Sequence, residues 1–111
     1  MTAMVTTPIP SCAICSINQL ILTPGNGITS TTPIPSGLVT DPNGCLHILI
    51  NCMAINGENV FMQFNINQGG PPLNPNGPIV TSTLDCIGGQ WVFQQGGVFR
   101  IINEINCQNG I

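Results

Sequence analysis

The chain has 111 residues, and its single Lys or Arg and four Asp or Glu give a formal net charge of −3. Charged residues make up 5% of the chain, whereas an ordinary soluble domain carries about 25%. Arg100 alone cannot neutralise a row of phosphates, so we expect neither nucleic acid nor anionic lipid as a partner. One histidine and a few scattered acids offer little for acid–base or calcium chemistry, so we expect no enzyme, no cofactor and no metal site.

The length predicts one domain with one hydrophobic core. Hydrophobic residues account for 42% of the chain and the mean hydropathy is +0.34, which argues against disorder. No apolar run approaches the roughly 20 residues that span a bilayer, so no membrane span is expected.

Six cysteines in a small, lysine-free chain rich in Gly, Pro, Asn and Thr predict three disulfides and an extracellular, oxidising compartment. A zinc site is the weaker alternative, because the Cys-x-x-Cys pair has no second pair to complete four ligands. A redox-active pair would need a βαβ pattern around it. The spacing leaves the connectivity open, although we expect the first two cysteines to attach to different strands. The six are Cys12, Cys15, Cys45, Cys52, Cys86 and Cys107.

The sequence has no helical periodicity. It has short β-prone runs that are separated by turn residues. Five Asn-Gly pairs favour turns, because both residues tolerate positive φ. Together these runs predict an all-β, Ig-like antiparallel sandwich of about seven strands. Trp91, soon after Cys86, is expected to pack in the core beside a disulfide. The predicted strands are residues 17–22, 37–40, 46–51, 59–66, 79–86, 90–94 and 98–107.

The titratable residues are interpreted as structural. His47 is expected as a half-buried strand residue, not a base. Asp41 precedes Pro-Asn-Gly and is expected to accept hydrogen bonds from local backbone N–H groups. Asp85 is expected to face away from Leu84, and Arg100 to form a surface pair with Asp85 or Glu104 worth at most about 1 kcal/mol.

An exact hexapeptide repeat, Thr-Thr-Pro-Ile-Pro-Ser, occupies residues 6–11 and 31–36. Each X-Pro step favours extended backbone, and the first copy defines an extended N-terminal segment at 1–11 before a disulfide-rich domain at 12–111. Thr and Ser beside Pro also suit O-linked sugars. The candidate O-glycosylation sites are Thr6, Thr7, Thr31 and Thr32.

The order of these features resembles the six-cysteine domain found in many copies in secreted nematode proteins. The resemblance rests on the Cys-x-x-Cys pair, on Asp-Pro-Asn-Gly-Cys ending at Cys45, on Phe64-Asn65, on Leu-Asp-Cys ending at Cys86 with Trp91 beyond it, and on a last strand to Cys107. It implies an extracellular, disulfide-bonded β module and no activity.

Sheet edges are usually protected by Lys, other charges or bulges, and this chain is almost uncharged. We therefore expect a subunit of a self-associating filament or matrix, a head-to-tail homo-oligomer whose N-terminal segment docks on a neighbour through Met4, Val5 and Ile9. The alternative is a monomeric secreted recognition module that binds ligand through loop residues 68–78. A small inhibitor or toxin is a third reading, which the low aromatic content of 5% disfavours.

Overall fold

The computed structural model describes residues 11–66, 68–72 and 76–110. Ten strands cover most of this part, with short 3₁₀ turns at Ser11–Ala13, Ile17–Gln19 and Ile55–Gly57. The strands are β1 Ile21–Leu22, β2 Ser30–Thr31, β3 Ile34–Thr40, β4 Leu46–Met53, β5 Asn59–Phe64, β6 Asn76–Gly77, β7 Ile79–Ile87, β8 Gln90–Gln95, β9 Val98–Ile101 and β10 Glu104–Gly110.

The strands form two five-stranded sheets. One has the order β3-β4-β7-β8-β9; the other has the order β1-β10-β5-β6, with β2 also paired to β10. All pairs are antiparallel except β1 with β10, which is parallel. The all-β sandwich prediction is confirmed. The strand number exceeds the expected seven because the two-residue strands β2 and β6 were not predicted, and because the predicted strand 98–107 divides into β9 and β10.

Alternation along the strands builds the core, because successive side chains point to opposite faces of a sheet. Residues 79–86 follow the predicted pattern: Val80, Ser82, Leu84 and Cys86 are buried, and the residues between them are not. The rings of Phe64 and Phe93 meet across the sandwich with centroids 5.0 Å apart. An interior of this kind is packed by apolar side chains from both sheets.

Trp91 has the predicted role. It is 1% exposed and lies directly opposite Cys86 in the β7–β8 pairing. Its indole Nε1–H donates to the carbonyl of Ser16 at 2.9 Å, as a buried indole needs a partner. The ring therefore fixes the start of the domain against β8.

Two predicted strands are wrong in extent. Residues 17–19 form a 3₁₀ turn because Ser16 and Gln19 make a reciprocal capping box, which competes with extended backbone. Residues 98–107 form two strands, not one, because the chain crosses from one sheet to the other after Ile101. Asn65 binds the chain where it crosses between the sheets, because its side-chain oxygen accepts the N–H of Asn103 at 2.8 Å.

The Asn-Gly pairs divide into two kinds. Those ending at Gly27, Gly44 and Gly57 lie in turns and place the glycine at positive φ. The pairs ending at Gly77 and Gly110 lie in β6 and β10 instead. Their interpretation as turns is wrong, because cross-strand pairing with β5 holds both.

All six cysteines form disulfides, namely Cys12–Cys45, Cys15–Cys86 and Cys52–Cys107. The first two cysteines therefore bind different partners, as predicted, and they attach the N-terminal end of the domain to β7 and to the residue before β4. No helix in the described part of the chain is long and apolar enough to cross a membrane.

Candidate functional site

The edge strand β3 forms an uncharged, apolar border of the described fold. None of its seven residues is charged, and Ile34, Leu38 and Val39 are between 46% and 52% exposed. A bulge interrupts its register with β4 between Pro35 and Leu38. Beyond the bulge, a short stretch of strand presents apolar side chains and backbone groups that lack a neighbouring strand on one side.

The second copy of the hexapeptide repeat leads into this edge. Thr31 ends β2 and pairs with Cys107 of β10, whereas Ile34 and Pro35 begin β3 and pair with Asn51 and Ile50 of β4. Residues 31–36 thus pass along the border of both sheets as edge backbone. Proline is tolerated at such edges because its missing N–H can face away from the ladder.

The predicted contacts of the first copy lie outside the described residues. This applies to the interface residues Met4, Val5 and Ile9 and to the glycosylation candidates Thr6 and Thr7. In the second copy, the Thr31 hydroxyl is buried without a hydrogen-bond partner among the described residues. Thr32 is exposed, and its hydroxyl accepts the Gly25 N–H at 2.9 Å.

His47 lies between two carboxylates on the outer face of β4. Its Nδ1 is 2.6 Å from Asp85 Oδ1 on β7, and its Nε2 is 2.7 Å from Asp41 Oδ2 in the preceding turn. The histidine side chain is 28% exposed, in line with the prediction of a half-buried strand residue. Asp41 also accepts the backbone N–H groups of Asn43 and Cys45, as predicted for a turn aspartate.

The electrostatics of this bridge favour a charged imidazolium. The hydrogen bonds that His47 donates to Asp41 and to Asp85 raise the pKa of His47 above its ordinary value, with the larger effect from Asp41. In turn, the hydrogen bond from His47, followed by the Cys45 N–H, lowers the pKa of Asp41. Because both ring nitrogens are engaged, neither is open to accept a proton from a substrate. The side-chain hydrogen bonds of the cluster therefore link the turn, β4 and β7.

The predicted surface pair of Arg100 is wrong. Its guanidinium donates to the carbonyl of Gln68, while Asp85 is engaged by His47 and by the Gln94 amide at 3.1 Å. Glu104 is 8% exposed and belongs to the other sheet. A continuous strand over residues 98–107 would place Arg100 and Glu104 on one face, but the chain changes sheets between them.

Glu104 is held by neutral donors. The Thr23 hydroxyl donates to its Oε2, the Ile66 N–H donates to its Oε1 at 2.7 Å, and the Asn106 amide donates to both oxygens at 3.2 Å. Gln108 continues the chain by donating to Asn106 Oδ1 at 2.9 Å. A buried carboxylate is stable only when such donors replace its water.

These polar residues line a groove of about 460 Å³ on the outer face of the β1–β10–β5 sheet. The alternation of Glu104, Asn106 and Gln108 in the sequence signals their common face, although our sequence analysis did not use it. The groove is lined by Ile21, Thr23, Gln63, Ile66, Glu104, Asn106 and Gln108.

Loop residues 68–78 are described only in part. Gly70 lies so close to β5 that a Cβ there would come within 1.9 Å of the Met62 carbonyl oxygen, so the position requires glycine. Residues 73–75 lie outside the described part. Among the described residues, no group of three or more His, Cys, Asp or Glu is placed to hold a metal ion.

The chain is similar to two curated proteins of Caenorhabditis elegans. It is 36% identical over 95 residues to "Uncharacterized protein C30G12.4", covering 84% of this chain and 36% of that protein. It is 34% identical over 96 residues to "Putative uncharacterized protein F40H6.5", covering 84% of this chain and 7% of that protein. The matched segment is thus a minor part of both relatives. No protein-family model and no solved structure matches the chain.

Proposed function

We propose that this chain is a non-catalytic, extracellular structural module that self-associates through the open edge of β3. In this proposal residues 6–10 of one copy pair as an extended segment along β3 of a neighbour, and repetition of that contact builds a filament or matrix. The observation that carries it is an uncharged edge strand in a fold whose own edge sequence, residues 31–36, is duplicated at residues 6–11.

The duplicated sequence supports the role of the N-terminal segment as an added strand. Residues 31–36 show that the hexapeptide is compatible with edge backbone in this fold. In an extended segment, Pro8 and Pro10 fall on the same side, and both lack an N–H. From Thr7 onward, such a segment can donate to a neighbouring strand from one side only, so it would add to β3 without templating a further strand.

The disulfides support the extracellular compartment in this proposal. Three disulfides and no free cysteine among the described residues fit an oxidising environment, since cytosolic thiols are kept reduced. The similarity to segments of longer nematode proteins and the resemblance to the six-cysteine domain of secreted nematode proteins favour the same assignment.

The proposal includes O-glycosylation of one described residue. Thr32 is exposed and stands between Thr31 and Pro33, which is a favourable context for O-linked sugars. After secretion from animal cells, the mass of the protein should exceed the mass of its polypeptide chain. This excess should disappear in a variant that combines Thr32→Ala with replacement of Thr6 and Thr7. An unmodified mass from the same cells would contradict the glycosylation.

The self-association is tested by placing a charge on the edge. Leu38→Lys puts an ammonium on β3, which blocks edge pairing, whereas Ile28→Lys makes the same exchange at a residue that is 77% exposed in the β1–β2 connection. Light scattering after size exclusion should show large species for the wild type and for Ile28→Lys, and a monomer for Leu38→Lys. A monomeric wild type, or equal assembly of all three proteins, would contradict the proposal.

A further inference from the structure

We propose that the outer face of the β1–β10–β5 sheet is a binding site for a neutral saccharide, with sugar hydroxyls on the side-chain amides of Gln63 and Gln108 and the apolar sugar face on Phe61. This site is on the opposite sheet from the β3 edge, and the proposal does not depend on self-association.

Directional hydrogen bonds leave particular polar atoms open on this face. Gln108 uses its Nε2 to donate to Asn106, and Asn106 donates to Glu104. The side-chain oxygen of Gln108, Oε1, has no partner among the described residues. Gln63 lies opposite Asn106 in the β5–β10 pairing, and its half-buried amide has no described partner for either its oxygen or its nitrogen. An amide offers two donors and an acceptor, which matches adjacent hydroxyls.

An aromatic ring continues the polar row. Phe61 lies directly opposite Gln108 and is two residues from Gln63, so all three share one face. The ring packs over Gly110, where an added Cβ would lie 2.4 Å from a ring carbon, yet Phe61 remains 39% exposed. One part of the ring is thus supported by backbone, and the exposed part can cover the C–H face of a sugar ring.

The charges of the groove restrict the ligand class. Its ionisable lining residue is Glu104, whose oxygens are held by the donors of Thr23, Ile66 and Asn106. Among the described residues, no basic side chain lines the groove, so a phosphate, sulfate or carboxylate ligand would meet the Glu104 carboxylate without a counter-charge. A ligand with many hydroxyls and no net charge fits this lining.

The strand order also disfavours an extended peptide. β10 is paired on both sides, with β1 and β2 on one and β5 on the other. Its backbone groups are therefore engaged, and the face offers side chains only. Peptides that add to a sheet need a free edge, whereas a saccharide needs the side-chain donors and acceptors that this face presents.

Binding is tested on an array of immobilised glycans that end in glucose, galactose, mannose or N-acetylglucosamine, printed beside sulfated and sialylated forms of the same glycans. The wild type should bind a subset of the neutral glycans and lose that binding on the sulfated counterparts. The affinity for the best neutral glycan, measured by titration calorimetry, should fall at least tenfold in Gln63→Leu. Because the Gln63 amide makes no described hydrogen bond, this exchange leaves the internal hydrogen-bond network intact.

Two controls separate the site from the fold and from assembly. Gln90→Leu replaces an exposed glutamine on β8 of the other sheet and should leave the affinity unchanged. Leu38→Lys should keep the same affinity per chain even where it abolishes assembly. The proposal is overturned if the wild type binds no neutral glycan, if it prefers the sulfated or sialylated forms, or if Gln63→Leu binds as tightly as the wild type.

Discussion

Cys52 on β4 and Cys107 on β10 form a disulfide that joins the inner faces of the two sheets, and both residues are 0% exposed. Each cysteine follows the alternation of its strand into the core. The bond therefore ties the two layers of the sandwich together at their centre, where the apolar side chains of both sheets also meet.

Removing this bridge should destabilise the domain more than removing the half-buried Cys12–Cys45 bridge. For the double variant Cys52→Ala and Cys107→Ala, the loop-entropy model with its 55-residue separation gives a loss of about 4 kcal/mol in the free energy of unfolding, and the cavity left by the sulfurs adds to it. Urea denaturation measures this loss. Its control is the Cys12–Cys45 bridge, which is half-buried and has a separation of 33; an equal or larger loss from that control would contradict the account.

His47 should make stability depend on pH in a defined direction. Its pKa is raised in the folded state by Asp41 and Asp85, so its contribution is complete below the unfolded pKa of about 6.5. The contribution is lost as the pH rises through the higher folded pKa. The lowered pKa of Asp41 acts on the acid side, where its contribution is lost as the pH falls below about 4.

The measurement is the melting temperature between pH 5 and pH 9 for the wild type and His47→Gln. We expect the variant to be less stable at pH 5.5 and the difference to narrow at alkaline pH. Since the chain has one histidine, its imidazole signals in an NMR titration belong to His47 alone. A folded-state pKa at or below the ordinary histidine value would refute the bridge.

Glu104 should be a structural carboxylate despite its charge. Glu104→Ala leaves the buried Asn106 amide and the half-buried Thr23 hydroxyl without their acceptor, and an unpaired buried polar group costs about 1–3 kcal/mol. We expect a loss of about 2–4 kcal/mol in thermal or chemical unfolding. Glu104→Gln keeps one acceptor oxygen and should lose less; a Glu104→Ala variant as stable as the wild type would show that the network carries no stability.

The parts of the fold that depend on local pattern were predictable. The alternation from Val80 to Cys86 fixed one face of β7, and the position of Trp91 beside Cys86 placed the indole in the core. The Asp41 turn also followed from its own sequence, because an aspartate before Pro-Asn-Gly bonds the N–H groups nearest to it. Each of these depends on contacts within a few residues or on the two-residue period of a strand.

Features that depend on how strands pair were not predictable. The partner of His47 is Asp85 because β4 and β7 pair in one register. A shift of one of these strands by one residue would turn its side chain to the other face and separate the pair. The prediction that Arg100 pairs with Glu104 was wrong because the chain changes sheets at Ile102, and no local sequence pattern indicates that change. The Ser16 capping box, by contrast, could have been predicted from the sequence, because Ser followed three residues later by Gln is its usual pattern.

The most direct test of the account compares the intact chain with a variant in which residues 6–11 keep their composition but have the two prolines adjacent. Residues 31–36 stay unchanged, so β2 and β3 are preserved while the N-terminal segment loses its one-sided row of N–H donors. Sedimentation velocity over a broad concentration range should show large, concentration-dependent species for the intact chain and a monomer for the variant. Assembly of the variant to the same extent, or a monomeric intact chain at every concentration, would contradict the account.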